Sequence, residues 1–165
     1  MENKKKGILW GIIFGVLSWV SVFIFCSFAL PMDEFMMAED FETFLELFAE
    51  IPEHFMWAID EKEAYSGFLF FAAFSFVVGG VTPLIVSDDD NLRMYAKVYL
   101  GFAAVMLLFY LVLGIITGFA GVILFIAHLV FVVVSLGWAV AGQQGIEMSD
   151  EDCVKKIVVF IFVEK

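Results

Sequence analysis

The chain has 165 residues, of which 62% are hydrophobic and 21 are Phe, with a formal net charge of −11 at pH 7 and a mean hydropathy of +0.96. That balance excludes an ordinary soluble globular domain and leaves a small, single-domain membrane protein. Eleven of the 20 acidic residues fall within residues 33–63, so the negative charge belongs to one segment and offers nothing to nucleic acid.

Residues 1–6 carry three lysines and lead into an apolar segment, residues 7–30, read as the first membrane span. Ser27 and Ala29 resemble the small residues of a signal-peptide cleavage site, but the apolar run exceeds the roughly 7–15 residues of a signal core, which favours an uncleaved helix. Gly7, Gly11 and Gly15 repeat every four residues and draw a smooth stripe along that helix. In lipid such a stripe lets a second helix approach closely, whether from the same chain or from another. Residues 31–64 form the polar connection. There Met37, Phe41, Phe44, Leu45 and Phe48 recur at helical spacing, with Glu39, Glu42, Glu46 and Glu50 on the other side, the pattern of an amphipathic helix lying near the membrane surface. Pro52 is expected to end that helix and to open a second, with Phe55, Met56 and Ile59 as its apolar face. The acidic residues lack the spacing and central glycine of a calcium loop, and are read instead as a docking surface for a partner.

The second span is placed at residues 65–86, where Gly79, Gly80 and Pro83 predict a bend or an unwound turn near the end. Residues 87–93, SDDDNLR, read as a loop whose Ser, Asp and Asn side chains cap the next helix. Residues 98–142 contain no Asp, Glu, Lys or Arg. A single helix over that run would be roughly 67 Å long against a hydrocarbon layer of about 30 Å, so the run must fold back. Gly114, Gly118 and Gly121 mark the fold, giving spans at residues 94–113 and 119–141. In the tail, residues 142–165, Ser149 and Asp152 have the spacing of a capping box. Val154, Ile157, Val158 and Ile161 then form a helical face beside Lys155 and Lys156, while the β-rich run IVVFIFV leaves a strand as the competing reading.

The expected fold is therefore all-α and polytopic, with four transmembrane helices and an amphipathic helical loop. With four spans, Lys4, Lys5, Lys6, Arg93, Lys97, Lys155, Lys156 and Lys165 share one side and only Lys62 lies opposite. The positive-inside rule then places both termini in the cytoplasm and the acidic loop outside a cell membrane. His128 lies near the middle of the fourth span, where an imidazole is costly unless hydrogen-bonded. Ser75, Thr117, Ser135 or a carbonyl could satisfy it, or it could serve a pore or ligand. Cys26 and Cys153 make no disulfide framework. A phosphate-binding glycine loop, HExxH, a nucleophile elbow and Cys-x-x-Cys are all missing, so no catalytic, cofactor or metal residue is named. The leading reading is a non-enzymatic interaction or scaffold subunit whose partners are the bilayer and either further copies of the chain or other membrane subunits. A small oligomeric channel or transporter component is the alternative, and an enzyme acting on lipid comes third.

Within residues 80–145, Pro83-Leu84-Ile85, the aspartate-rich turn, Ala96-Lys97, Leu100-Gly101-Phe102, the glycine-broken hairpin, Ala139 and Gly145 follow one another in an order that resembles a family of small bacterial and archaeal membrane proteins. These are relatives of the chloroplast inner-envelope protein-import channel component, and Gly101 stands where the family carries asparagine. The resemblance implies a helical membrane module, no enzymatic role, and a translocation role by analogy.

Overall fold

The computed structural model describes residues 3–29, 32–60, 63–86, 88–118, 120–147, 149 and 151–163. Lys62, Ser87, Phe119 and Lys165, used in the sequence reading, lie outside them, as do the side chains of Phe55 and Ile59. Seven helices follow in order: α1 (Asn3–Ala29), α2 (Met32–Met37), α3 (Phe41–Asp60), α4 (Glu63–Ile85), α5 (Asp89–Thr117), α6 (Ala120–Gln144) and α7 (Cys153–Phe162). Among the described residues there is no strand. Helices α1, α4, α5 and α6 are each long and apolar enough to cross a membrane, and the chain is an all-α polytopic protein.

The four long helices form a closed cycle in which α1 packs on α5, α5 on α6, α6 on α4 and α4 on α1. Because the four alternate in direction along the chain, α2 and α3 fall at one end of the bundle and α7 at the other. The interior is filled with aromatic rings. Phe71 of α4 lies 4.6 Å, centroid to centroid, from Phe131 of α6, and Tyr95 stacks on Tyr99 along α5 at 5.9 Å. Buried hydroxyls are satisfied locally: Ser18, Ser75 and Thr82 donate to carbonyls three or four residues back in their own helices. That is the usual solution where no water is available to a polar group.

Several boundaries differ from the sequence reading. Helix α5 starts at Asp89 rather than Met94, because Asp88 accepts a hydrogen bond from the Asp90 N–H at 2.9 Å, and the remaining aspartates occupy the first turn, where the helix dipole favours them. Pro52 does not end α3. Phe48 and Ile51, on either side of the missing hydrogen bond, are buried against the bundle, and that burial outweighs the proline's penalty. Pro83 likewise sits within the last turn of α4, which stays helical through Gly79 and Gly80 to Ile85. The hairpin between α5 and α6 does fold at the glycines. Gly118 ends α5 with φ 81°, a conformation that costs a glycine little, and Gly121 lies so close to Gly114 and the Tyr110 carbonyl that no Cβ would fit.

At the other end, Gly145 takes φ 64° and the Ile146 N–H returns to the Ala141 carbonyl at 3.0 Å, a left-handed glycine stop for α6. The tail is helical, not a strand. Its helix begins after Asp152, whose side chain makes no capping hydrogen bond, so the Ser149–Asp152 box is not formed. Its inward face is also rotated from the expected one. Cys153, Phe160 and Ile161 are buried while Val154 and Val158 are exposed, because α7 seats against α5 and α6 with the Arg93 guanidinium 4.7 Å above the Phe160 ring.

Candidate functional site

The glycine stripe meets α5. Gly7 donates its backbone N–H to the Asn91 side-chain oxygen at 3.1 Å, and a Cβ placed on Gly7 would collide with the Asn91 carbonyl. One turn on, a Cβ on Gly11 would stand 2.8 Å from the Val98 Cβ and 3.0 Å from the Tyr95 carbonyl oxygen, and one on Gly15 would stand 2.8 Å from the Phe102 side chain. The partner of this stripe is thus within the chain. Beyond Gly15 the seam changes character. Trp19 donates its Nε1–H to the Phe102 carbonyl at 3.1 Å, and after it Val22 and Cys26 of α1 face Met106 and Tyr110 of α5 around a cavity of about 210 Å³.

His128 of α6 is fully buried, and neither ring nitrogen has a hydrogen-bond partner among the described residues. Its ring lies 5.8 Å from that of Tyr110 and 6.3 Å from that of Phe131. The side chains offered by the sequence as partners are engaged elsewhere. Ser75 donates to the Phe71 carbonyl, Thr117 to the Leu113 carbonyl, and Ser135 to the Phe131 carbonyl while standing 3.1 Å from the Tyr99 hydroxyl.

Helix α3 crosses the end of the bundle and touches all four long helices. Asp40 starts it by accepting the Thr43 N–H at 2.7 Å, and that bond holds the Asp40 carboxyl below its ordinary value. The buried face of α3 is Phe48 and Ile51, with Phe44 and Leu45 half-buried. Met37 and Phe41, expected on the same face, are exposed: residues 38–40 break the helix between Met37 and α3, and Phe41 stands in the first turn of α3 with its ring stacked on that of Phe44. Glu39, Glu42, Glu46 and Glu50 are all exposed. The His54 Nε2 lies 3.7 Å from a Glu50 carboxylate oxygen, one turn further along α3.

Three features were not singled out from the sequence. Asn91 ties α5 to α1 through Gly7, Gln144 donates to Asp89 at 2.8 Å and joins the end of α6 to the start of α5, and Tyr110 joins the cavity to His128. The last left a signal, because Tyr95, Tyr99 and Tyr110 fall within about 60° of one another on a helical wheel. Among the described residues no three His, Cys, Asp or Glu side chains converge as a metal site. No family model, curated protein or solved structure matches the chain.

Proposed function

We propose that this integral membrane protein is a non-enzymatic interaction or scaffold subunit of a membrane complex, and that the face of α3 carrying Glu42, Glu46 and Glu50, with Glu39 before it, is its docking surface. One observation carries the reading. Phe48 and Ile51 anchor α3 inside the chain, with Ile51 only 1% exposed, while Glu42, Glu46 and Glu50 face outward, along with Phe41, Met56 and Trp57. Like charges four residues apart cost an isolated helix roughly 0.2–0.5 kcal/mol per pair, so burial of Phe48 and Ile51 holds in place a row of charge that does nothing for the fold. Such a row presents a basic partner with a concentrated negative field. The division of the basic residues supports a cell-membrane setting with both termini in the cytoplasm and α3 outside.

The second reading, an oligomeric channel or transporter subunit in the manner of the import-channel relatives, draws on the unmet nitrogens of His128. Tyr95, Tyr99 and Phe131 are buried within the bundle, so a path would have to run between copies rather than through one.

Replacing Glu39, Glu42, Glu46 and Glu50 with Gln keeps length and helix propensity and removes the charge. The spans and membrane insertion should survive, and recovery of partners in mild detergent should fall, most steeply at low salt, where attraction is least screened. Equal recovery of the same partners across ionic strength would reduce α3 to a passive cover.

A further inference from the structure

The cavity at the splayed end of the α1–α5 seam is a crevice between parallel helices that are held together by glycines at the α7 end and kept apart by side chains at the α3 end. Trp19, Val22, Cys26, Met106, Tyr110 and Leu124 bound it, and Phe35, Phe44 and Phe48 close it on the α3 side. Phe23, at its edge, is 55% exposed on the lipid-facing side of α1.

The lining is nearly all carbon, with one deep exception. Tyr110 is 4% exposed, and among the described residues no hydrogen bond engages its hydroxyl. It lies seven residues before Thr117, the end of α5, which places it about 10 Å along the helix from that end. Unlike the His128 nitrogens, the hydroxyl is not sealed from the cavity, and its donor is open to a guest there. Beneath it, in contact with the Tyr110 ring, is His128, whose nitrogens are also unmet.

We propose that this cavity binds the head of a membrane-soluble lipophile: a single ring bearing a carbonyl oxygen, with an alkyl tail that leaves past Phe23 into the bilayer. The carbonyl accepts from the Tyr110 hydroxyl, the donor the cavity leaves unused. The ring lies among Trp19, Phe35, Phe44 and Phe48, whose faces suit a flat guest better than a flexible chain. Size fits as well. A dry apolar cavity of about 150 Å³ takes a benzene ring, and the present one, at about 210 Å³, takes a ring with one or two oxygens. A plain acyl chain would fill carbon-lined space but has no acceptor to offer at the depth of Tyr110. This site is separate from the carboxylates of α3 and does not depend on their role.

The test uses the full chain in detergent, with Trp10, Trp57 and Trp138 changed to Phe so that Trp19 reports alone. Decyl-benzoquinone is titrated and compared with decylbenzene, which keeps a flat six-membered ring and the tail but has no carbonyl. Saturable binding of the quinone, read as Trp19 quenching and as a rise in Tm, is expected. Tyr110→Phe, which keeps the ring and the fold, should weaken quinone binding about fivefold, as loss of one hydrogen bond implies, and leave decylbenzene unchanged. Val22→Phe, which places a ring in the cavity, should abolish saturable binding of both. Equal affinity for the two probes, or quinone binding unaffected by Tyr110→Phe, would show a hydrocarbon site only and overturn the proposal. Quenching that does not saturate would overturn the site altogether.

Discussion

Where α1 meets α5 near α7, Gly7, Gly11 and Gly15 present no side chains, and the helix runs directly against Asn91, Val98 and Phe102. Near α3, the same two helices face each other through Trp19, Val22, Cys26, Met106 and Tyr110 and leave about 210 Å³ unfilled. Apart from Asn91, which accepts the Gly7 N–H, both ends are largely apolar, and lipid tails are as apolar as either, so the hydrophobic effect does not distinguish them. Close backbone approach and dispersion contact do. One end of the seam is a clamp and the other is a wedge held open, and a ligand or partner can act only on the second.

The contrast can be broken by adding carbon to each end in turn. Gly11→Ile puts a branched side chain where even a Cβ would stand 2.8 Å from Val98, and should destabilise the protein by about 1–3 kcal/mol, or separate the helices outright. Thermal unfolding in detergent measures it, and an unchanged Tm would remove the clamp. Val22→Ile adds a methyl group beside the cavity. Its unfolding free energy should stay within about 0.5 kcal/mol of the parent or rise by up to about 2 kcal/mol, as cavity filling commonly does. A loss as large as that of Gly11→Ile would mean that the wedge is as tightly packed as the clamp.

Much of this was legible in the sequence. Four spans, the hairpin at Gly114, Gly118 and Gly121, and the capping aspartates follow from hydropathy, helix length and turn chemistry, which act locally. The glycine spacing identified a contact face, but only the fold could say that α5 fills it, because the choice between an internal and an external partner depends on how the spans are ordered around the cycle. Pro52 was misleading for a related reason. Its local penalty is real, but Phe48 and Ile51 are buried by residues far away in sequence, and a proline rule cannot register that. The cavity had no sequence signal at all. It is the volume left over where α1, α3, α5 and α6 converge, and His128 is unmet because Ser75, Thr117 and Ser135 turn back to their own helices.

A smaller effect concerns how α3 is started. The Thr43 N–H lowers the Asp40 pKa, so the stabilisation it gives is present above the ordinary aspartate range, near pH 4, and is lost as pH falls through the lowered folded value. The protection factors of the Thr43 and Phe44 amides, taken relative to intrinsic exchange at each pH, should therefore fall at acid pH in the parent protein, and in Asp40→Ala they should already be low at neutral pH. The clamp at Gly7, Gly11 and Gly15 should not respond to either change. Equal protection of Thr43 in the parent and in Asp40→Ala would remove the cap from the account.

The proposed arrangement of the chain in the bilayer, with α3 outward and α7 inward, underlies the proposed docking surface. It is tested by placing single cysteines at Glu46→Cys and Asp89→Cys, both exposed positions at opposite ends of the bundle, in a background where Cys26 and Cys153, the free cysteines of the chain, are changed to Ala. An impermeant thiol reagent applied to intact cells should label the Glu46→Cys protein and spare the Asp89→Cys protein until the membrane is opened. Labelling of Asp89→Cys alone would invert the protein, and equal labelling of both in intact cells would contradict the four-span arrangement.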